Sequence, residues 1–161
     1  SGKTVLLDIL SGQKLFKGKI KINDTIHIVK NGTFRWVDNV SVYKSSQSLF
    51  GKDTSANLDL EVGLNPIIPK WIKKLSIKDF LDKDAPTLSL GQLQRVLMLR
   101  SISIPAKAYF LDEPTNALDR SNLNQLVYLV SDLTKDKFTV VTSNDNSFSQ
   151  FITINVEEYI S

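Results

Sequence analysis

Cysteine is absent from this chain, so neither a disulfide framework nor a thiolate metal site can be built. That lack fits a reducing compartment. Long apolar runs are missing too. No stretch approaches the roughly 18 apolar residues of a membrane-crossing helix or has the pattern of a signal peptide. Any membrane association is therefore expected to come through a partner. Charge of one sign is not in excess, since 20 Lys and Arg against 17 Asp and Glu leave a net charge of +3. The short clusters Lys73-Lys74 and Lys17-Gly18-Lys19 read as solvated faces. No nucleic-acid partner is expected. Internal repeats and low-complexity tracts are absent as well. What remains is 161 residues, 42% hydrophobic and 23% charged, enough for one domain with a real core.

The most informative stretch runs Tyr109-Phe110-Leu111-Asp112-Glu113-Pro114-Thr115-Asn116-Ala117-Leu118-Asp119. Its apolar start predicts a strand buried on both faces of a parallel sheet. Asp112 and Glu113 then lie at the C-terminal tip, where open α/β sheets bind ligands. A buried carboxylate needs a partner. A metal ion and an attacking water fit that need.

The beginning of the chain supplies a complementary half. Ser1-Gly2-Lys3-Thr4 followed by Val5 to Leu10 matches the end of the phosphate-loop pattern G-x-x-x-x-G-K-[ST] entering a helix. Gly2 permits close backbone approach to a phosphate, Lys3 offers a point charge, and Thr4 offers a hydroxyl to Mg²⁺. The helix N-terminus adds free N–H groups and the positive end of its dipole.

A third element lies between them. Leu88-Ser89-Leu90-Gly91-Gln92-Leu93-Gln94-Arg95-Val96 reads as a helix start. Ser89 and Gln92 form a predicted capping box, worth about 1 kcal/mol. Leu93, Val96, Leu97 and Met98 form the apolar side. A well-capped core helix needs no ligand; the order of the three elements is what calls for one.

In that order the chain resembles the ATP-binding cassette (ABC) ATPases. Ser89-Leu90-Gly91-Gln92 is similar to their signature L-S-G-G-Q, with Leu90 in place of the first Gly. Tyr109 to Glu113 resembles the Walker B strand, Asn116 to Asp119 the D-loop, and Gly18 to Ile22 the strand after the first helix. The resemblance implies an α/β, P-loop NTPase-like fold: a mostly parallel sheet flanked by helices, a small antiparallel region, and a short helical subdomain over about 45–86. Residues 1–161 would then form one partial ABC ATPase domain. The family carries a preceding segment with an adenine-stacking aromatic, so the expectation is a piece of a longer polypeptide beginning within the Walker A motif.

The implied ligands are ATP and Mg²⁺. Ser1, Gly2, Lys3 and Thr4 would hold phosphates, and Thr4 and Asp112 the metal. Glu113 would polarise the attacking water. Ser89, Gly91 and Gln92 would cover the ATP of a second ABC domain, head to tail in a homo- or heterodimer, with Asp119 touching the opposite subunit. A membrane-spanning transporter subunit would complete the assembly and place the chain at the cytoplasmic face.

Two positions depart from the family pattern. In Val141-Thr142-Ser143-Asn144-Asp145, the switch histidine is replaced by Asn144, or by Ser143 in another register. Asn can hydrogen-bond a phosphate oxygen but carries no charge. Losing such a contact commonly costs on the order of 10²-fold in rate. Ser45 stands at the Q-loop glutamine, with Gln47 two residues on. A transporter ATPase leads; a binding module with little hydrolysis and a soluble ABC protein are the alternatives.

The rest of the chain yields structural expectations. Residues 18–22 and 26–28 predict a half-exposed antiparallel pair, with His27 on its polar side and Asn31-Gly32 as a turn. Val37, Val40 and Val42 predict another strand. Segments 53–60 and 69–81 are candidate helices, with Trp71, Leu75 and Phe80 in a satellite core. Leu123 to Leu133 predicts a helix. Residues 138–142 and 151–156 predict strands.

Overall fold

The computed structural model describes residues 2–155 apart from 23, 37, 50–52, 56, 59–67 and 117. The elements run α1 (Gly2–Leu10), β1 (Phe16–Ile22), β2 (Thr25–Gly32), β3 (Val40–Lys44), α2 (Ile68–Lys74), α3 (Leu90–Ser103), β4 (Ala108–Asp112), α4 (Arg120–Leu133) and β5 (Phe138–Thr142). Two 3₁₀ turns, Lys78–Phe80 and Ala85–Thr87, lead into α3. The fold is α/β. A parallel sheet of order β3-β4-β5 is flanked by helices, and β1-β2 form a separate antiparallel ribbon.

β4 holds the middle of the parallel sheet, and all five of its residues are buried. That explains its unbroken apolar run: a strand covered on both faces cannot alternate. Ala108 and Phe110 face Leu7 of α1, while Tyr109 and Leu111 join the larger core with α3 and α4. The parallel register levels Lys44, Asp112 and Thr142 across three strand ends. The groups for the site therefore emerge at one sheet edge.

The helix ends follow their capping chemistry. The Ser89 hydroxyl accepts from the Gln92 N–H at 3.3 Å, and the Gln92 carboxamide oxygen accepts from the Ser89 N–H at 2.9 Å. Asp119 caps α4, accepting from the Asn122 N–H at 2.9 Å. Leu126, Leu129, Val130 and Leu133 bury the inner face of that helix.

Four expectations need correction. The ribbon forms with Ile20 and Ile22 on one face of β1 as expected, but the faces of β2 are reversed. β-pairing sets Ile20 opposite His27, and Lys21 and Lys19 opposite Ile26 and Ile28. Directly opposed residues share a face, so His27 lies on the Ile20 side, edge-on to Phe34 at 5.2 Å. Ile26 and Ile28 are exposed among lysines. Asn31-Gly32 is no turn; both continue β2, where Gly32 pairs with Phe16. Trp71, Leu75 and Phe80 belong to the main core rather than a satellite. Residues 152–155 form no strand, and Ile152 is 98% exposed. In segment 53–60, Thr54, Ser55, Asn57 and Leu58 are helical. Val37, Val156 and Ser1 lie outside the described residues.

Candidate functional site

Asp112 is the centre of the site. Its Oδ1 accepts from the Thr4 hydroxyl at 3.1 Å, across 108 positions of sequence, and from the Thr142 hydroxyl at 2.6 Å. The first turn of α1 is thereby joined to the tips of β4 and β5. The carboxylate is nearly buried, and two hydroxyl donors satisfy it there.

Thr4 and Asp112 also present oxygens of the kind Mg²⁺ prefers. Adjacent octahedral ligands at about 2.0–2.1 Å from the ion lie about 2.9 Å apart, close to the separation of these two atoms. Among the described residues no group of three or more His, Cys, Asp or Glu could enclose a metal. One carboxylate and one hydroxyl are a partial set, of the kind Mg²⁺ commonly completes with waters and phosphate oxygens.

Glu113 leaves the strand with φ +49°, in the left-handed region that non-glycine residues rarely occupy. Such a conformation costs on the order of 1–3 kcal/mol and persists only where its surroundings hold it. Here the Glu113 N–H donates to Thr142, to the carbonyl at 3.2 Å and the hydroxyl at 3.0 Å. The carboxylate Oε2 accepts from the Asn144 backbone N–H at 3.2 Å. Glu113 is therefore aimed by the backbone of the segment after β5, and the Asn144 side chain is left free of that task.

Thr142 went unrecognised by sequence reasoning, as did Asp145. The Asp145 carboxylate accepts from the Ser147 N–H at 2.8 Å and the Ser143 hydroxyl at 3.1 Å. Hydrogen bonds, those of Ser147 first, hold its pKa below the usual carboxylate range. It shapes the turn that carries Asn144. Only the spacing Ser143-x-Asp145-x-Ser147 hinted at such a turn.

Replacing Thr142 by Val, a near match in shape, should test this junction. The change removes one of the two Asp112 donors and one of the two Glu113 acceptors. The expected loss is about 1–3 kcal/mol of stability, read by denaturant unfolding. A variant as stable as the parent would show that the hydroxyl holds nothing in place.

Other expected site residues sit apart from this group. Lys44 is level with Asp112, and Ser45 follows it directly after β3. The Gln47 carboxamide folds back on β3, donating to the Val42 carbonyl at 3.3 Å and accepting from the Lys44 N–H at 3.4 Å. Lys44 pairs with Asp8 of α1 at 2.6 Å. Ser89 and Leu90 are exposed at the start of α3, with Gly91 and Gln92 half-buried behind them. Asp119 is exposed, and the Asn122 bonds lower its pKa. Gly2 and Lys3 lie half-buried in the first turn of α1.

The profile of the ABC transporter family matches residues 1–116. A phosphate import ATP-binding protein, PstB, of Idiomarina loihiensis is 46% identical over 70 residues, covering 44% of this chain and 25% of that protein. The ABC transporter ATP-binding protein YtrE of Bacillus subtilis is 27% identical over 161 residues, 90% of this chain and 70% of that protein. The molybdate import ATP-binding protein MolC of Haemophilus influenzae is 29% identical over 160 residues, 95% of this chain and 60% of that protein. The chain thus spans from a quarter to about two thirds of these relatives. Among solved structures, the ATP-binding cassette MJ0796 bound to ADP and Pi superposes with TM-score 0.70 at 19% identity, over 92% of this chain and 72% of that one. An RNase-L inhibitor superposes with TM-score 0.70 at 21% identity, over 91% and 28%. At these identities the likeness is one of fold.

Proposed function

Since the chain belongs to the ABC transporter family, we propose that it is the ATP-binding part of a transporter. In this reading it converts Mg-ATP binding and hydrolysis into movement of a membrane-spanning partner at the cytoplasmic face. The observation that carries the reading is the Thr4–Asp112 contact with Glu113 directly after it. A hydroxyl at a helix N-terminus and a carboxylate at a strand tip converge on one point, with a second carboxylate alongside.

The same reading assigns the roles. Lys3 and the α1 amides, with Gly2 and Ser1, hold the outer phosphates. Thr4 and Asp112 hold Mg²⁺, which when bound neutralises charge on the phosphates. Glu113 orients the attacking water and takes its proton. Ser45 and Gln47 follow the β3 tip as the segment that would sense the nucleotide, and Asn144 meets Glu113 through its backbone N–H. Ser89, Gly91 and Gln92 are exposed enough to meet a second copy or a related domain, and Asp119 borders the same junction. The stretch of about 45–86 belongs in this reading to the helical part that meets the membrane partner. No helix among the described residues is long and apolar enough to cross a membrane.

The test is ATP turnover by the complete polypeptide with and without Mg²⁺. Magnesium-dependent release of phosphate is expected. Failure to bind ATP at millimolar concentration would overturn the proposal.

A second reading, tight ATP binding with little hydrolysis, is favoured by one observation. Asn144 offers Glu113 only its backbone N–H, so its neutral side chain adds no positive charge at the γ-phosphate. Restoring histidine, Asn144→His, leaves that backbone bond in place. It should raise turnover by on the order of 10²-fold. A steady-state assay showing no rise would rule out the missing charge as the limit on hydrolysis.

A further inference from the structure

We propose that Gln94, a residue of α3 with no place in the phosphate site, is a positioning residue that ties the β3 tip to the signature helix. Gln94 is buried, and both ends of its carboxamide are used. Its oxygen accepts from the Tyr43 hydroxyl. Its nitrogen donates to the Ser45 carbonyl at 3.0 Å. Tyr43 is itself fully buried, and burial followed by the nearby Asp112 charge pushes its hydroxyl pKa upward, so it remains a donor.

Two neighbouring links make this bond part of a continuous strap. On one side, Lys44 pairs with Asp8 of α1 at 2.6 Å, tying the β3 tip to the helix that begins with Gly2, Lys3 and Thr4. On the other side, Arg95 follows Gln94 on α3. Its guanidinium donates to the Leu75 carbonyl at 2.9 Å and to the Asn122 side-chain oxygen at 3.4 Å. Asn122 in turn donates to both carboxylate oxygens of Asp119, at 2.9 and 2.8 Å. The polar path therefore runs α1, β3 tip, α3, α4 N-terminus. It joins the phosphate end of the chain to the exposed start of α3, and Gln94 is the crossing point.

A hydrogen bond between a buried carboxamide and a backbone carbonyl is a directional link, and its loss leaves that carbonyl unsatisfied. Movement of the Ser45–Gln47 segment is thereby passed to α3 instead of being absorbed by the loop. The functional half of this inference rests on the ATP-binding reading; the static half does not.

The test is amide hydrogen exchange on the complete polypeptide, comparing the parent with Gln94→Met. Without nucleotide, the variant should exchange about tenfold faster over 44–47, while the β4 amides exchange as in the parent. With Mg-ATP, the parent should gain protection both over 44–47 and over 91–95. The variant should keep the first response and lose the second. A variant with both responses intact, or with β4 accelerated as much as 44–47, would overturn the proposal. Should the parent bind no ATP, the nucleotide-free comparison still decides the static link.

Leaving the Tyr43 hydroxyl buried without a partner could unfold Gln94→Met. The double variant Tyr43→Phe with Gln94→Met removes that donor and acceptor together, leaves only the Ser45 carbonyl without its donor and so loses less stability than Gln94→Met alone; it is expected to behave the same way in exchange. Tyr43→Phe alone keeps the Ser45 bond and should keep the coupled response. Loss of that response in Tyr43→Phe would place the link in the hydroxyl and overturn the role of the Gln94–Ser45 bond.

Discussion

Glu113→Gln should lower ATP turnover by about 10²–10⁴-fold, the range for losing a general base, while nucleotide affinity changes by only a few-fold. The substitution is nearly isosteric. An amide oxygen can still accept from the Asn144 N–H, and the backbone bonds of Glu113 to Thr142 do not involve its side chain. The φ of +49° and the aim of the side chain should therefore survive. What disappears is the proton acceptor. Asp112, Thr4 and Lys3 remain for the phosphates and metal, so binding and turnover should separate. The measurement pairs steady-state phosphate release with equilibrium binding of a fluorescent ATP analogue. Unchanged release would mean that another group activates the water. A matching fall in affinity would mean that Glu113 holds ligand and does not act on it.

How much of this site could be read in advance depends on the range of each interaction. The β4 run, the capping box of Ser89 and Gln92, and the spacing of α4 are local patterns with local causes, and they appear where the sequence predicts them. Asp112 and Thr4 were legible as members of one site from residue type and motif, and they meet although 108 positions separate them. Thr142 was not. A threonine ending a buried strand has an ordinary structural explanation, and its tie to Asp112 exists only because parallel register levels the two residues. Gln94 was hidden for a similar reason, since a glutamine on a helix gives no sign that one end of its amide reaches β3 and the other the residue just after it. The ribbon failed differently. Alternation marked the faces of β2 correctly but could not say which face is covered; cross-strand pairing with Ile20 and the presence of Phe34 decided that. Trp71 was expected in a satellite core with Leu75 and Phe80, yet the packing of α2 on α3 and α4 carries it into the main core.

That packing makes Trp71→Ala the substitution with the largest expected loss of stability, about 3–5 kcal/mol. Trp71 is fully buried, and deleting its indole leaves a void that short α2 cannot close without moving. For a domain of this size the melting temperature should fall by about 2–4 °C per kcal/mol. Trp71→Phe supplies the control. The indole N–H has no hydrogen-bond partner among the described residues, so phenylalanine sacrifices no bond and relieves an unsatisfied donor. Its cost should be the smaller void alone, partly offset, and well under half that of alanine. Lys74 stacks over both Trp71, at 4.9 Å, and exposed Tyr128, at 3.8 Å; a six-membered ring retains part of that contact. The effect should also reach the start of α3, because the Leu75 carbonyl directly after α2 receives the Arg95 guanidinium. Exchange over 91–95 should therefore quicken in Trp71→Ala and stay near the parent in Trp71→Phe. Equal losses for the two variants would show that the indole edge, and not its bulk, supports the helix that carries Ser89.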